Sequence, residues 1–215
     1  MARQSRLRAQ QTRQDIIARA LDLASVEGLD GLTIGRLADA LFMSKSGLFA
    51  HFGSKEELQL AVVDAARDVF AAEVLAGAGD AAGGLDRLAH LASAWLGYVE
   101  KGVLRGGCFF AAVSSEVDDR PGRVRDKVVD LTRAWMEALE VEAAEAVAAS
   151  ELTAETDPSQ LAFEIHAFVQ EANWAFQLHG DAAAFRRAAR AIDRSLRQEA
   201  TDAGIAAINR RGAPR

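Results

Sequence analysis

Apolar residues recur every three or four positions along most of this chain, while strictly alternating apolar and polar runs are scarce. This spacing is that of one face of an α-helix. Only three prolines are present, and alanine and leucine, which favour helices, are abundant. The pattern predicts an all-α fold of about nine helices with no strand.

Capping signals divide the first part of the chain into short helices. The first helix is predicted over residues 12–26, ending at Gly28, because glycine commonly terminates helices. The hydroxyls of Thr33 and Ser44 are suited to accept a hydrogen bond from a free amide at a helix start. They predict a second helix that reaches residue 41 and a third that reaches about residue 52.

The rest of the chain follows the same pattern with longer helices. Ser54 and Glu57 form a capping-box pair that predicts a fourth helix to about residue 75, followed by a glycine-rich loop at 77–84. Asp157-Pro158 is a strong helix start. Further helices are predicted over 85–101, 108–117, 123–150, 158–179 and from after Asp181 to about 200, with a frayed tail at 208–215.

Composition limits the class of protein. Half of the residues are hydrophobic and 26% are charged, as in a folded protein with a buried core. No apolar run is long enough to span a membrane, and the first residues lack the apolar core of a secretory signal, so a cytoplasmic location is predicted. The single cysteine, Cys108, excludes an intrachain disulfide, and no Cys/His spacing indicates a metal or cofactor site.

Charge is unevenly distributed along the chain. The formal net charge is −6, yet the first nineteen residues are rich in arginine and contain one acid, Asp15. A basic N-terminus is either a solvated segment or a nucleic-acid contact, and charge alone does not separate the two. The acids concentrate near the centre, at Glu137, Glu140, Glu142, Glu145, Glu151 and Glu155.

The stretch from Leu32 to Leu58 has the organisation of a helix-turn-helix. Ile34, Leu37, Ala38 and Leu41 form one apolar face, and after a turn of about three residues a second helix is predicted to direct Leu48, Phe49 and Phe52 inward. In such a unit the second helix enters the major groove of DNA. From periodicity alone, an ordinary pair of antiparallel helices fits equally well.

A family resemblance separates these alternatives. The chain resembles the DNA-binding signature of the TetR, or tetracycline-repressor, family, and the resemblance is sharp over about residues 12–60. It implies a helix-turn-helix domain over 1–60 and a ligand-binding and dimerisation domain over 61–215. The matching positions are Leu32, Thr33, Ala38, Ser44, Lys45, Gly47, Leu48, His51, Phe52, Lys55 and Leu58.

The resemblance also assigns roles in DNA binding. It implies that Lys45, Ser46, Gly47 and Ala50 face base edges, and that phosphates are held on either side. Ser44 and Phe49 belong to the same predicted surface. The residues assigned to phosphates are Thr33, His51 and Lys55.

The chain departs from the family pattern at two positions. Phe42 stands in the turn where the family has glycine, and a left-handed backbone there costs a non-glycine residue roughly 1–2 kcal/mol. Phe49 replaces a tyrosine, which removes a hydroxyl that reaches a phosphate in relatives. In addition, Arg3, Arg6 and Arg8 resemble a disordered arm that enters the minor groove.

The last two predicted helices carry more apolar surface than one packed face requires. The helix over 158–179 is apolar on two sides, which predicts burial on two sides. With the resemblance, this indicates a four-helix interface in a homodimer; the alternative is that both faces belong to the core of one chain. The predicted interface residues are Phe163, Ala167, Trp174, Leu178, Phe185, Ala189, Ile192 and Leu196.

An effector site between the C-terminal helices requires aromatic walls and a few polar groups. Each of the aromatic candidates, including Tyr98, is also suited to a simple core position, and Cys108 is either buried and structural or a redox sensor. The predicted ligand-binding residues are Trp95, Cys108, Phe109, Phe110, Trp135, His166 and Trp174.

Taken together, the residues and the resemblance predict a homodimeric, DNA-binding transcriptional regulator. The expected action is repression, relieved when a small effector shifts the dimer to a form with low operator affinity. No nucleophile elbow, phosphate-binding glycine loop or zinc-protease motif is present, so an enzyme is not predicted. The alternative is a helical ligand-binding or scaffold protein that has lost DNA binding.

Overall fold

The fold belongs to the all-α class, as predicted. The computed structural model describes residues 2–79 and 81–211, and within them only an isolated bridge between Leu152 and Ala200 resembles sheet pairing. None of the described helices is long and apolar enough to cross a membrane. The described part of the chain contains ten α-helices: α1 (Ala2–Gly31), α2 (Ile34–Ala40), α3 (Lys45–Phe52), α4 (Lys55–Phe70), α5 (Leu85–Glu100), α6 (Phe109–Val117), α7 (Arg123–Ala148), α8 (Pro158–His179), α9 (Ala183–Glu199) and α10 (Asp202–Arg211).

The chain forms two compact units. The N-terminal unit comprises Met1–Val69 and Val103–Leu131, and the C-terminal unit comprises Phe70–Gly102 and Thr132–Arg215. The passage from the first unit to the second falls at the end of α4, directly before a π-helical turn over Ala71–Leu75. Residues 103–131 thus join the helix-turn-helix segment in one unit. The division of function at residue 60 stays a prediction.

The first helix differs from its prediction at its start. It begins at Ala2, so the segment predicted as a disordered arm is helical, with Arg6 and Arg8 exposed on its surface; the side chain of Arg3 lies outside the described residues. Gly28 breaks the helix as predicted, with φ 75° and ψ 171°, and a short helical turn follows it. A positive φ of this kind is open to glycine with little strain.

The end of the chain also differs from its prediction. Residues 202–211 form α10, where a frayed tail was expected to begin at 208. The Thr201 hydroxyl accepts a hydrogen bond from the Gly204 amide at 3.2 Å, which caps the helix. Ala207 is buried, so tertiary packing stabilises a segment whose composition is weakly helical. Residues 212–215 lie outside the described part of the chain.

The N-terminal unit is centred on α1, which packs against α2 and α6. Its core is apolar and tightly closed. At Gly106, a Cβ atom would lie 1.6 Å from the carbonyl oxygen of Ser25, so only glycine permits this approach. The fully buried side chains of this core include Ile16, Leu29, Leu37, Leu48, Leu58, Val62, Val63, Phe109 and Val113.

Charged groups hold the second segment of this unit to the first. Glu116 of α6 accepts hydrogen bonds from the amides of Leu29, at 2.7 Å, and Asp30, the two residues that follow the Gly28 break. Arg105 donates to Asp22 at 2.7 Å, and this hydrogen bond lowers the pKa of the Asp22 carboxyl. Further ion pairs join the segments: Arg120 with Asp30, Arg123 with both Glu56 and Glu57, and Lys127 with Asp64.

The C-terminal unit is built on the pairing of α8 with α9, against which α5 also packs. Asp157 caps α8 as predicted, accepting from the Ser159 and Gln160 amides, and Gly180 ends the helix in a left-handed conformation. Two of the central acids have a structural role at the start of α5. Glu142 accepts from the Gly84 amide at 3.0 Å and Glu151 from the Leu85 amide at 2.9 Å.

Candidate nucleic-acid interface

The helix-turn-helix forms through local capping and a small apolar contact between α2 and α3. Thr33 accepts from the Arg36 amide at 3.2 Å, and Ser44 accepts from the Gly47 amide at 3.0 Å. Leu37 and Ala38 of α2 and Leu48 of α3 are almost wholly buried. Both N-caps are therefore where the sequence predicted them, and α3 is held by its inner face.

The other face of α3 is open to solvent. Lys45, Ser46 and Ala50 are exposed, and Phe49 is 48% exposed. The prediction that Phe49 points inward with Leu48 is therefore wrong, because position 49 lies one step round the helix from the buried row. An exposed helical face with one cation, one hydroxyl and small or flat apolar groups is suited to the edges of bases.

The turn between α2 and α3 contains Phe42, where the family pattern has glycine. Phe42 has φ 54°, in the left-handed region, and its side chain is 99% exposed. The turn nevertheless closes, since the amides of Phe42 and Met43 donate to Asp39 at 3.2 Å and Ala38 at 2.9 Å. Phe42 thus bears the strain of a glycine position without the compensation of buried contacts.

The residues that the resemblance assigns to phosphates differ in exposure and in the contacts they already make. Thr33 is exposed at the start of α2, and His51 is half-buried on α3 with its ring 6.4 Å from that of Phe52. Lys55 donates to the Asp30 carbonyl at 3.1 Å and lies 3.9 Å from the Asp30 carboxylate. Its ammonium therefore braces the end of α1 in the free protein.

Sequence reasoning did not single out Arg36, and it treated Arg13 only as part of a basic segment. The Arg13 guanidinium lies over the Phe52 ring, 5.0 Å from its centroid, and Arg36 pairs with Glu27 at 2.6 Å. Arg36 is a cation on the first helix of the helix-turn-helix, and Arg13 is a cation of α1 that contacts its second helix. An acid nine residues before Arg36 in the chain carries no recognisable pairing pattern, so only the fold brings the two together.

Family comparisons agree with this geometry. Residues 16–62 match the model of bacterial regulatory proteins of the tetR family, and residues 84–192 match the model of the tetracyclin repressor-like C-terminal domain. The second match alone covers more than half of the chain. The chain belongs to the TetR family.

Individual proteins are also similar to this chain, in sequence or in fold. The transcriptional regulator TcmR of Streptomyces glaucescens is 32% identical over 123 residues, 56% of this chain, and the match spans only 53% of TcmR. A TetR regulator from Chloroflexus aurantiacus has a TM-score of 0.83 at 26% identity, covering 90% of this chain and 98% of its own. AibR, solved with isovaleryl coenzyme A and operator DNA, has a TM-score of 0.70 at 22% identity, covering 85% and 96%.

The structure divides the predicted effector residues of this TetR-family chain between its two units. Trp95, Trp135 and His166 lie in the C-terminal unit, where their rings are in contact. Cys108, Phe109 and Phe110 lie in the N-terminal unit, where the first two are buried at the start of α6. Trp174 is 52% exposed on α8 and packs its ring against His179. Only Trp95, Trp135 and His166 therefore form one cluster.

The predicted dimer residues also divide into two sets. Phe163, Trp174 and Leu178 are 61%, 52% and 61% exposed on one face of α8, and Ala167 shares that face. Phe185, Ile192 and Leu196 of α9 are instead buried within the chain, because this face of α9 packs on α8; the Phe176 and Phe185 rings are 5.1 Å apart. These three residues are unavailable to a partner, whereas Ala189 is exposed.

Proposed function

We propose that this TetR-family chain is a sequence-specific DNA-binding repressor that acts in the cytoplasm as a homodimer and releases its operator when a small effector binds. The observation that carries the proposal is the exposed outer face of α3. That helix is capped by Ser44 and held through Leu48, so its outer side chains are presented on a rigid support. Lys45, Ser46, Gly47 and Ala50 contact bases in this proposal.

Phosphate contacts fix the position of α3 in the groove. Thr33 lies at the N-terminus of α2, where free amides attract phosphate. His51 and Lys55 contribute from the opposite side, and Lys55 exchanges its carbonyl partner at Asp30 for a phosphate oxygen. The cost of that exchange is small because the Lys55–Asp30 pair is itself exposed to solvent.

A homodimer supplies the second recognition helix. One short helix reads a few base pairs, whereas two such helices about 34–36 Å apart read both halves of a palindromic operator. The exposed apolar face of α8 supports this assembly, since three large apolar side chains in one row are unfavourable in water. In this proposal the dimer interface lies on α8, whereas the sequence predicts one shared between α8 and α9.

The effector site belongs to the aromatic cluster of the C-terminal unit. An effector that binds better to the form with low operator affinity shifts the dimer toward that form by linkage. AibR, which shares the fold, is solved with both operator DNA and a small molecule, and this supports two ligands on one such chain.

A gel-shift titration on duplex DNA from upstream of the coding sequence tests the proposal. We expect a specific complex whose affinity falls steeply as salt rises, because Lys and phosphate contacts release counterions. Unlabelled DNA of scrambled sequence should not compete. If the chain binds no DNA, or binds the upstream and the scrambled duplex equally, the alternative holds. The protein is then a helical scaffold or ligand-binding protein, which the departures at Phe42 and Phe49 favour.

A further inference from the structure

Five aromatic rings from four helices meet within the C-terminal unit. Phe70 at the end of α4 lies 5.0 Å from Trp135 of α7, 5.8 Å from Tyr98 of α5 and 6.3 Å from Trp95, measured between ring centroids. Trp95 is in turn 5.2 Å from Trp135 and 5.3 Å from His166 of α8. These distances are those of direct ring contact, so the rings form one continuous aromatic cluster.

Two donors in this cluster have no acceptor. The indole nitrogens of Trp95 and Trp135 are both inaccessible to solvent and make no hydrogen bond, and Trp95 as a whole is only 2% exposed. Buried donors in folded proteins are nearly always paired, and an unpaired one calls for an explanation. Neighbouring ring faces are much weaker acceptors than an oxygen atom.

The absence of charge on the surrounding rings limits which ligands can accept hydrogen bonds from these two donors. Phenylalanine, tryptophan and tyrosine are uncharged at neutral pH. Burial lowers the pKa of His166, so its imidazole is neutral as well, and the Gln170 amide nitrogen lies 3.4 Å from its Nε2. A charged molecule among these rings would lose its hydration without gaining a counter-charge from them. An indole N–H also repels a cation through its positive hydrogen.

We propose that the aromatic cluster binds an uncharged, ring-containing effector whose oxygen atoms, such as carbonyl oxygens, accept hydrogen bonds from the indole N–H groups of Trp95 and Trp135. The flat rings supply apolar contact, and the two donors set the position of the oxygens. This inference rests on the proposed function, because it names the chemical class of its effector. Since neither nitrogen is accessible, the rings move apart as the ligand enters.

Nitrogen-15 NMR of the indole groups tests the proposal directly. The chain contains three tryptophans, so Trp174→Phe leaves only the two clustered indoles visible. The probes are 9-fluorenone, which has a carbonyl oxygen, and fluorene, which has the same ring skeleton without an acceptor. We expect fluorenone to move both indole proton signals downfield, as a new hydrogen bond does, and fluorene to leave them in place.

Equilibrium dialysis measures the affinity of the protein for the same probes. Trp95→Phe and Trp135→Phe keep a ring but remove the donor, so each should weaken fluorenone binding about three- to tenfold while changing fluorene binding much less. Fluorenone-2-carboxylate, which adds a negative charge, should bind more weakly than fluorenone. Equal responses to fluorenone and fluorene, tighter binding of the carboxylate, or no binding of either neutral probe would overturn the proposal.

A gel shift with the unsubstituted chain separates this inference from the function on which it rests. If the unsubstituted chain binds operator DNA but the NMR and dialysis tests fail, the effector chemistry is wrong and the regulator assignment stands. If it binds fluorenone as expected but no DNA sequence specifically, the aromatic site stands and the repressor proposal fails.

Discussion

Phe42 illustrates how a single residue is held in a conformation that its own side chain opposes. Its φ of 54° is imposed by the turn between α2 and α3, and its ring makes almost no contact in return. A left-handed conformation costs a non-glycine residue roughly 1–2 kcal/mol. The cost is tolerated because the surrounding caps and buried leucines fix the turn independently.

Replacing Phe42 with glycine should therefore stabilise the protein. The relieved strain exceeds the roughly 0.4–1 kcal/mol that glycine costs through the freedom of the unfolded chain, so we expect a gain of up to about 1 kcal/mol. Chemical denaturation measures it. Phe42→Ala is the matched control, because alanine retains the Cβ atom and should show no comparable gain. A stability equal for both variants would mean that the backbone at this position carries no strain.

In the proposed function, base recognition depends most on Lys45. It is exposed at the first position of α3, where its ammonium has no acidic partner among the ion pairs of the described residues. Lys45→Ala should weaken operator binding by about 1–3 kcal/mol and reduce the salt dependence of binding. Lys101→Ala removes an exposed lysine outside the helix-turn-helix and should leave the gel shift unchanged. An unaltered affinity for Lys45→Ala would exclude its assigned role.

At the scale of elements, α6 is joined to α1 through one carboxylate. Glu116 accepts from the amides of the two residues that follow the break at Gly28, and hydrogen bonds to a charged group are stronger than neutral ones. Further ion pairs connect the same two segments of the N-terminal unit. The helix-turn-helix is thus stabilised by residues some sixty to ninety positions away in the chain.

Glu116→Ala should destabilise the protein by about 1.5–3 kcal/mol, since both amides lose their acceptor. Thermal unfolding measures the change. Glu116→Gln keeps one carbonyl oxygen and should lose roughly half as much. If alanine were no worse than glutamine, the two amides would have other acceptors, and the link between α1 and α6 would depend on apolar contact alone.

At the scale of the whole molecule, we propose that the exposed face of α8 forms the dimer interface. Light scattering should report a mass near twice 23.0 kDa. Trp174→Glu should produce monomers, because a buried carboxylate in an apolar interface has no partner. Val141→Glu is the control, since Val141 is 53% exposed and lies on α7 rather than on this face. A dimer that persists in the Trp174 variant would place the interface elsewhere.

Local signals in the chain predicted much of this architecture. The caps at Thr33, Ser44 and Asp157, the break at Gly28 and the bounds of α8 all depend on interactions within a few residues. Such interactions are readable from spacing. The family resemblance also predicted the left-handed turn at Phe42. A glycine at that position of the family pattern indicates a backbone with positive φ, whichever side chain stands there.

Other features were not accessible from spacing. The α10 helix and the burial of Phe185, Ile192 and Leu196 depend on which helix packs against which. An amphipathic pattern states that a face is buried but does not state its partner, so the face of α9 was assigned to a second chain. For the same reason, candidate effector residues of one chemical type were grouped although they belong to different units.

The sequence by itself determined that this protein is helical, where most of its helices begin and end, and that residues 32–58 form a helix-turn-helix. Those properties follow from hydrogen bonds and side-chain spacing within a few residues of each other. Only the tertiary structure decided which apolar faces remain open, how residues 103–131 support the helix-turn-helix, and which aromatic rings meet around two unpaired indole donors. These properties depend on contacts between distant segments, whose partners no local pattern specifies.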